Sequence, residues 1–225
     1  MIFMKKVLSI IILCVISLNV LSSQEFNSKK QRSTFDKLVF LDYRGTNVID
    51  ASLGSAMITG DFLGTVEPEY KMFYRIGYKR FIIDYVNVNV SFNGFNLAVK
   101  DLYDEDFVSF DLNVEFLAFP YYRISPYVYG GGGYNTTDDF EISSYKAQAG
   151  LGVEYIVSDK IGIKLFGEYN YSFGDKLDGI ESGEGNDVFY RAALGVNFYF
   201  GGDNWRRKRM EEIETVIKAN PIIEE

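Results

Sequence analysis

A chain of 225 residues with 23 lysines and arginines against 31 aspartates and glutamates has a formal charge of −8, which argues against nucleic acid as a partner. Its length suffices for one sizeable closed sheet but not for a barrel plus a second globular domain. The absence of histidine excludes a Ser-His-Asp triad, a histidine metal ligand and a histidine general base.

In chain order, residues 1–23 read as a secretory signal. Lys5 and Lys6 precede an apolar run, residues 7–21, which ends in Ser22 and Ser23, the small residues a signal peptidase needs. Ser9, Ser17 and Asn19 interrupt the run, and it is short for a membrane anchor. The only cysteine, Cys14, lies inside it behind Leu13, where a lipoprotein would have a small residue, so the mature chain is expected to have no thiol. Cleavage takes the charge to about −10 by removing the two lysines. No later segment approaches the roughly 18 to 20 uninterrupted apolar residues of a helical span, so any membrane crossing has to be made of strands.

Residues 24–46 begin basic, with Lys29, Lys30 and Arg32, and then carry the apolar patch Leu38-Val39-Phe40-Leu41. They predict a flexible periplasmic lead-in with room for a short strand. From residue 47 to residue 200 apolar and polar residues alternate repeatedly with a period of two, at lengths that let a tilted strand cross a bilayer. Eight strands are predicted, over residues 47–58, 69–79, 81–92, 107–118, 125–134, 144–157, 160–171 and 187–200. The fourth is the clearest, with Val108, Phe110, Leu112, Val114, Phe116 and Ala118 opposing Ser109, Asp111, Asn113 and Glu115. In the third, Asp84 falls on the wrong parity, which predicts a bulge near Tyr85. The fifth is thinned by Gly130 to Gly133.

Connections at 59–68, 93–106, 135–143 and 172–186 are predicted to be long, and those at 79–80, 119–124 and 158–159 short. This is the order of external loops and periplasmic turns in an outer-membrane barrel with its N-terminus inside. Alternation alone fits equally a lipocalin-like barrel with an oily interior. Tyr and Phe at strand ends, glycines on the polar face, and an aromatic at position 200 favour lipid outside. The fold class is then all-β, an eight-stranded antiparallel up-and-down transmembrane barrel.

That orientation sends Lys71, Arg75, Lys79, Lys146, Lys164 and Arg191 inward together with Asp50, Asp111, Glu115, Glu154 and Glu168. Eight strands enclose a space that side chains fill, so these charges are expected to pair into a plug rather than line a pore or an ion path. Asp111 and Glu115, the carboxylates nearest in sequence, would stand about 13 Å apart on one strand, too far for a glycosidase pair. No catalytic, cofactor-binding or metal residue is assigned, and no enzyme activity is expected. The external loops are acidic, but residues 175–187 lack the EF-hand spacing for calcium, so solvation or a surface partner is the expected use of that charge.

Residues 201–225 predict a periplasmic tail. Asn204 can cap a short helix with Met210, Ile213 and Ile217 in one stripe, ended by Asn220-Pro221. Arg206 to Arg209 suit lipid phosphates, and residues 204–219 suit docking to a periplasmic protein; the sequence leaves both open.

Over residues 47–200 the strand pattern resembles the small OmpA- and OmpX-like barrels. GTNVIDASLGSAMITGDF, FYRIGYKRF, SPYVYGGGGY and SDKIGIKLFGEYNYSF look like barrel proteins of Bacteroidota outer membranes, including those encoded near or fused to curli-type secretion components. The resemblance implies an outer-membrane location and a role in assembling or exporting surface fibres. Two functional classes follow: a structural or interaction barrel with lipid and protein partners, or a ligand handler, either a lipocalin-like binder or a narrow porin-family channel.

Overall fold

The computed structural model describes residues 28–59, 69–99, 103–137, 143–173 and 187–212. Of the two compact units into which the chain divides, Met1–Phe35 and Asp36–Glu225, the second holds the barrel. Its strands are β1 (Asn47–Thr59), β2 (Lys71–Ile83), β3 (Val86–Val99), β4 (Tyr103–Leu117), β5 (Ile124–Thr137), β6 (Ser143–Ser158), β7 (Ile161–Ser172) and β8 (Val188–Phe200). Each pairs antiparallel with the next, and β8 closes on β1 from Asn47 opposite Phe200 to Thr59 opposite Val188. The all-β, eight-stranded up-and-down barrel read from the alternation is the fold observed.

The oily face is outside. Leu112 is 57% exposed and its neighbour Asn113 1%, and β8 repeats the pattern, with Leu194 exposed and Arg191 and Asn197 buried. In water such a belt would cost apolar exposure along every strand, while in hydrocarbon it is the low-energy surface.

Three details differ from the sequence reading. β2 does not turn at Lys79-Arg80; it runs on to Ile83 and reverses at Asp84 and Tyr85. Asp84 broke the parity because it is in the turn, and the register shift lies at Phe81–Ile83 in β2. The second external connection is not long. Asp104, Glu105 and Asp106 pair with Ala98, Leu97 and Asn96, leaving only residues 100–102 between β3 and β4. Charges read as loop signals stand on strand ends beyond the apolar belt, where water solvates them. The patch at residues 38–41 is not a strand but part of helix α1, Ser28–Tyr43. A closed barrel offers no free edge for a ninth strand, whereas a helix satisfies its own backbone.

After β8, Gly201 and Gly202 take positive φ values of 75° and 100°, a conformation side chains resist, and turn the chain into helix α2, Asp203–Glu212. The helix begins one residue before Asn204, whose Oδ1 accepts from Arg207 within the first turn. Met210 is exposed. Ile213 and Ile217, and the acids of residues 60–68, 138–142 and 174–186, lie outside the described residues.

Candidate functional site

The barrel interior is the site. Ten of the eleven charges predicted to face inward are there and buried; Lys71 is not, standing at the rim of the loop end between Glu69 (3.1 Å) and Asp104 (3.0 Å). The ten sit on alternate positions of different strands, so each finds its partner across the lumen rather than along its own chain.

Arg191 is the hub. Its Nε donates to Glu168 at 2.6 Å and an Nη to Asp111 at 2.8 Å, with further bonds to Gln148 and Asn170. Glu168 also accepts from Arg75 at 2.7 Å and from the Tyr129 hydroxyl at 2.8 Å, and Lys146 reaches Asp111 and Asn170 at 3.0 Å each. Nearer the turns, Lys79 grips both oxygens of Glu115 at 2.7 and 2.8 Å, and Lys164 pairs with Asp50. Glycines make room for the larger side chains: a Cβ on Gly150 would lie 2.3 Å from the Tyr129 ring, and one on Gly152 2.6 Å from that of Tyr127.

Two groups that the charge pattern does not reveal close the ends. At the loop end Phe95 stacks between Phe107 and Phe189, with ring centres 5.7 and 5.2 Å apart. Arg191 lies beneath this lid, its guanidinium 4.9 Å from Phe73, 5.2 Å from Phe95 and 5.6 Å from Phe189. The signal was present in the sequence, since these phenylalanines share the inward parity of the charges.

At the turn end the plug is Arg44, completely buried, immediately after α1. It donates to Glu154 at 2.8 Å and to the carbonyls of Pro120 and Tyr122 at 2.7 and 3.1 Å. Glu154 also accepts from Asn197 at 2.7 Å. One helical turn before Arg44, Phe40 is buried edge-on against Phe81, 5.0 Å between centres. Arg44 sits outside the alternating region, so strand parity gave no reason to place it inside.

Arg44→Ala should cost about 3–5 kcal/mol, the range for removing one partner of a buried ion pair, because Glu154 is left with the neutral amide of Asn197 alone. Urea titration of the barrel in vesicles measures this; an unmoved midpoint would mean that the latch carries no load.

The arrangement pairs charges: each of the five inward carboxylates, Asp50, Asp111, Glu115, Glu154 and Glu168, is held by a cation. Among the described residues no group of acidic or cysteine side chains gathers closely enough to hold a metal.

No protein-family model matches the chain, and no curated protein does. Solved structures do. Neisserial surface protein A is 17% identical, covering 69% of this chain and 98% of its own, with a TM-score of 0.58. The fold is that of the small outer-membrane barrels. The attachment invasion locus protein Ail of Yersinia pestis, 17% identical over 70% of this chain and 99% of its own, has a TM-score of 0.47. The outer membrane enzyme PagL, 12% identical over 68% and 99%, has one of 0.38. At these identities the likeness is one of fold.

Proposed function

We propose that this protein is a non-enzymatic barrel of the outer membrane that acts as a structural and interaction component of the cell surface. The observation that carries this reading is the lumen: its charges are paired with one another across the interior, capped by an aromatic lid and latched by Arg44, so the interior supports the barrel rather than a passage. Without histidine and with its inward carboxylates bound to cations, the interior offers no set for hydrolysis. Lipid covers the outer belt, the loops meet the outside, and the turn end with both helices meets the periplasm.

Partners then bind at the ends. The acidic loops suit a surface partner, and residues 204–219 suit a periplasmic protein. The resemblance to barrels accompanying curli-type secretion makes a fibre-assembly or export system the partner class to look for. In planar bilayers the purified barrel should give no discrete conductance steps; steady single-channel openings would favour the narrow-channel alternative. Deleting residues 202–225 should leave a heat-modifiable, membrane-inserted barrel that loses a protein recovered with the full chain from native outer membranes. Recovery of the same partners with the truncated chain would remove the tail from the interaction.

A further inference from the structure

Toward the turn end the lumen holds a row of buried polar atoms that the ion pairs leave over. On β3 the successive inward residues Asn87, Asn89 and Ser91 are each 2% exposed or less, and neither the two amide oxygens nor the hydroxyl has a hydrogen-bond partner among the described residues. The same holds for the Ser52 hydroxyl on β1, the Asn197 amide oxygen on β8 and one Nη of Arg44, all of them buried. Buried polar groups in proteins are nearly always satisfied, by protein or by ordered water.

Strand pairing makes these atoms neighbours. Ser91 lies opposite Gly77, Gly77 opposite Asp50 and Asp50 opposite Asn197, one row across β3, β2, β1 and β8. Asn89 and Ser52 are one inward step from that row, and Asn89 donates to Asp50 at 3.2 Å. Asn197 and Arg44 meet on Glu154, each through one bond, so the row ends at the latch. The three ion pairs of this half, Lys164 with Asp50, Lys79 with Glu115 and Arg44 with Glu154, cancel in charge.

We propose that this half of the lumen is a water site, a string of internal waters running from Arg44 past Asn197 to Ser52 and Ser91 and on to Asn89 and Asn87. The chemistry of the atoms left over selects the ligand. The amide oxygens only accept, the arginine nitrogen only donates and the two hydroxyls do either, so the ligand has to do both. Chloride would meet three amide oxygens and the carboxylates of Asp50, Glu115 and Glu154, while sodium would meet Lys79, Lys164 and Arg44. With the pairs cancelling, neither ion is called for, and water completes both sets. A chamber that stops at Arg75, opposite Ser52, carries no current, so the proposal stands apart from the conductance test above.

Thiols introduced into the wall supply the test. Cys14 is the only cysteine of the chain, so Cys14→Ser gives a thiol-free parent. Ser52→Cys and Ser91→Cys, one at a time, then put a thiol in the row with almost no change of shape, and Ala56→Cys puts one in the buried cluster with Phe73, Phe95 and Phe189. Each chain is refolded into vesicles, checked by gel mobility and transferred to deuterium oxide while the infrared S–H band is followed. The bands from Ser52→Cys and Ser91→Cys should be lost, since a thiol trades its hydrogen only with water it touches, and the band from Ala56→Cys should persist. Persistence at position 52 or 91, or loss at all three positions together, would overturn the proposal.

Discussion

Arg191→Met should destabilise the barrel by about 3–5 kcal/mol, the range for removing one partner from a buried ionic set. The arginine serves Glu168 and Asp111 at once while lying against three phenylalanine rings, and methionine fills the volume but returns neither charge nor donor. Glu168 keeps Arg75 and Asp111 keeps Lys146, so the network is left with the same acids on fewer cations. The penalty is mostly that of the buried acceptors on Glu168, Asp111, Gln148 and Asn170 that lose their donor, and Asp111→Asn added to Arg191→Met should deepen it by taking the acid from Lys146. Urea titration in vesicles, scored by the gel mobility of the folded form, gives both values. A single variant within about 0.5 kcal/mol of the parent would mean that water already reaches the hub.

Leu112→Arg should cost about 2–4 kcal/mol, because the side chain stands in the middle of β4 on the outer face and would carry a cation into the bilayer midplane. Asn113→Arg makes the same chemical change one residue along and fails differently. Asn113 is buried, accepts from Gln148 at 2.6 Å and lies against Gly131, so arginine there meets crowding inside the lumen rather than hydrocarbon. Raising bilayer thickness should deepen the Leu112 penalty and leave the Asn113 penalty unchanged. A Leu112 variant that folds as readily as its parent would place this strand's outer face out of the hydrocarbon.

Alternation told the two faces of most strands apart, because a period of two is imposed by backbone geometry and fails only where the register shifts, as at Phe81–Ile83. It identified Arg75, Glu168 and Arg191 as inward before any contact was known. It did not say that Lys71 would stop short at the rim, since parity sets a side and not a height. The β2–β3 boundary was misread because Lys79-Arg80 resembles a turn when only polarity is weighed; one lysine is spent on Glu115 and the arginine points the other way. Arg44 and α1 were missed for a deeper reason. Their place is dictated by a mouth formed from Pro120, Tyr122 and Glu154, which no window of local sequence contains.

The pairing of Lys164 on β7 with Asp50 on β1 straddles the β8–β1 seam, and so does the reach of Arg44 to Glu154 on β6. Before that seam zips, a sheet lying in hydrocarbon would present two raw edges and these four charges with no counterion, a state the bilayer interior does not tolerate. Crossing the membrane first and joining the ends later is thereby closed as a route. The intermediate to look for is an unclosed sheet resting at the headgroups, still wetted along its polar face. Its passage into the oil and the meeting of β1 with β8, residues some 150 positions apart at Asn47 and Phe200, are one slow cooperative act.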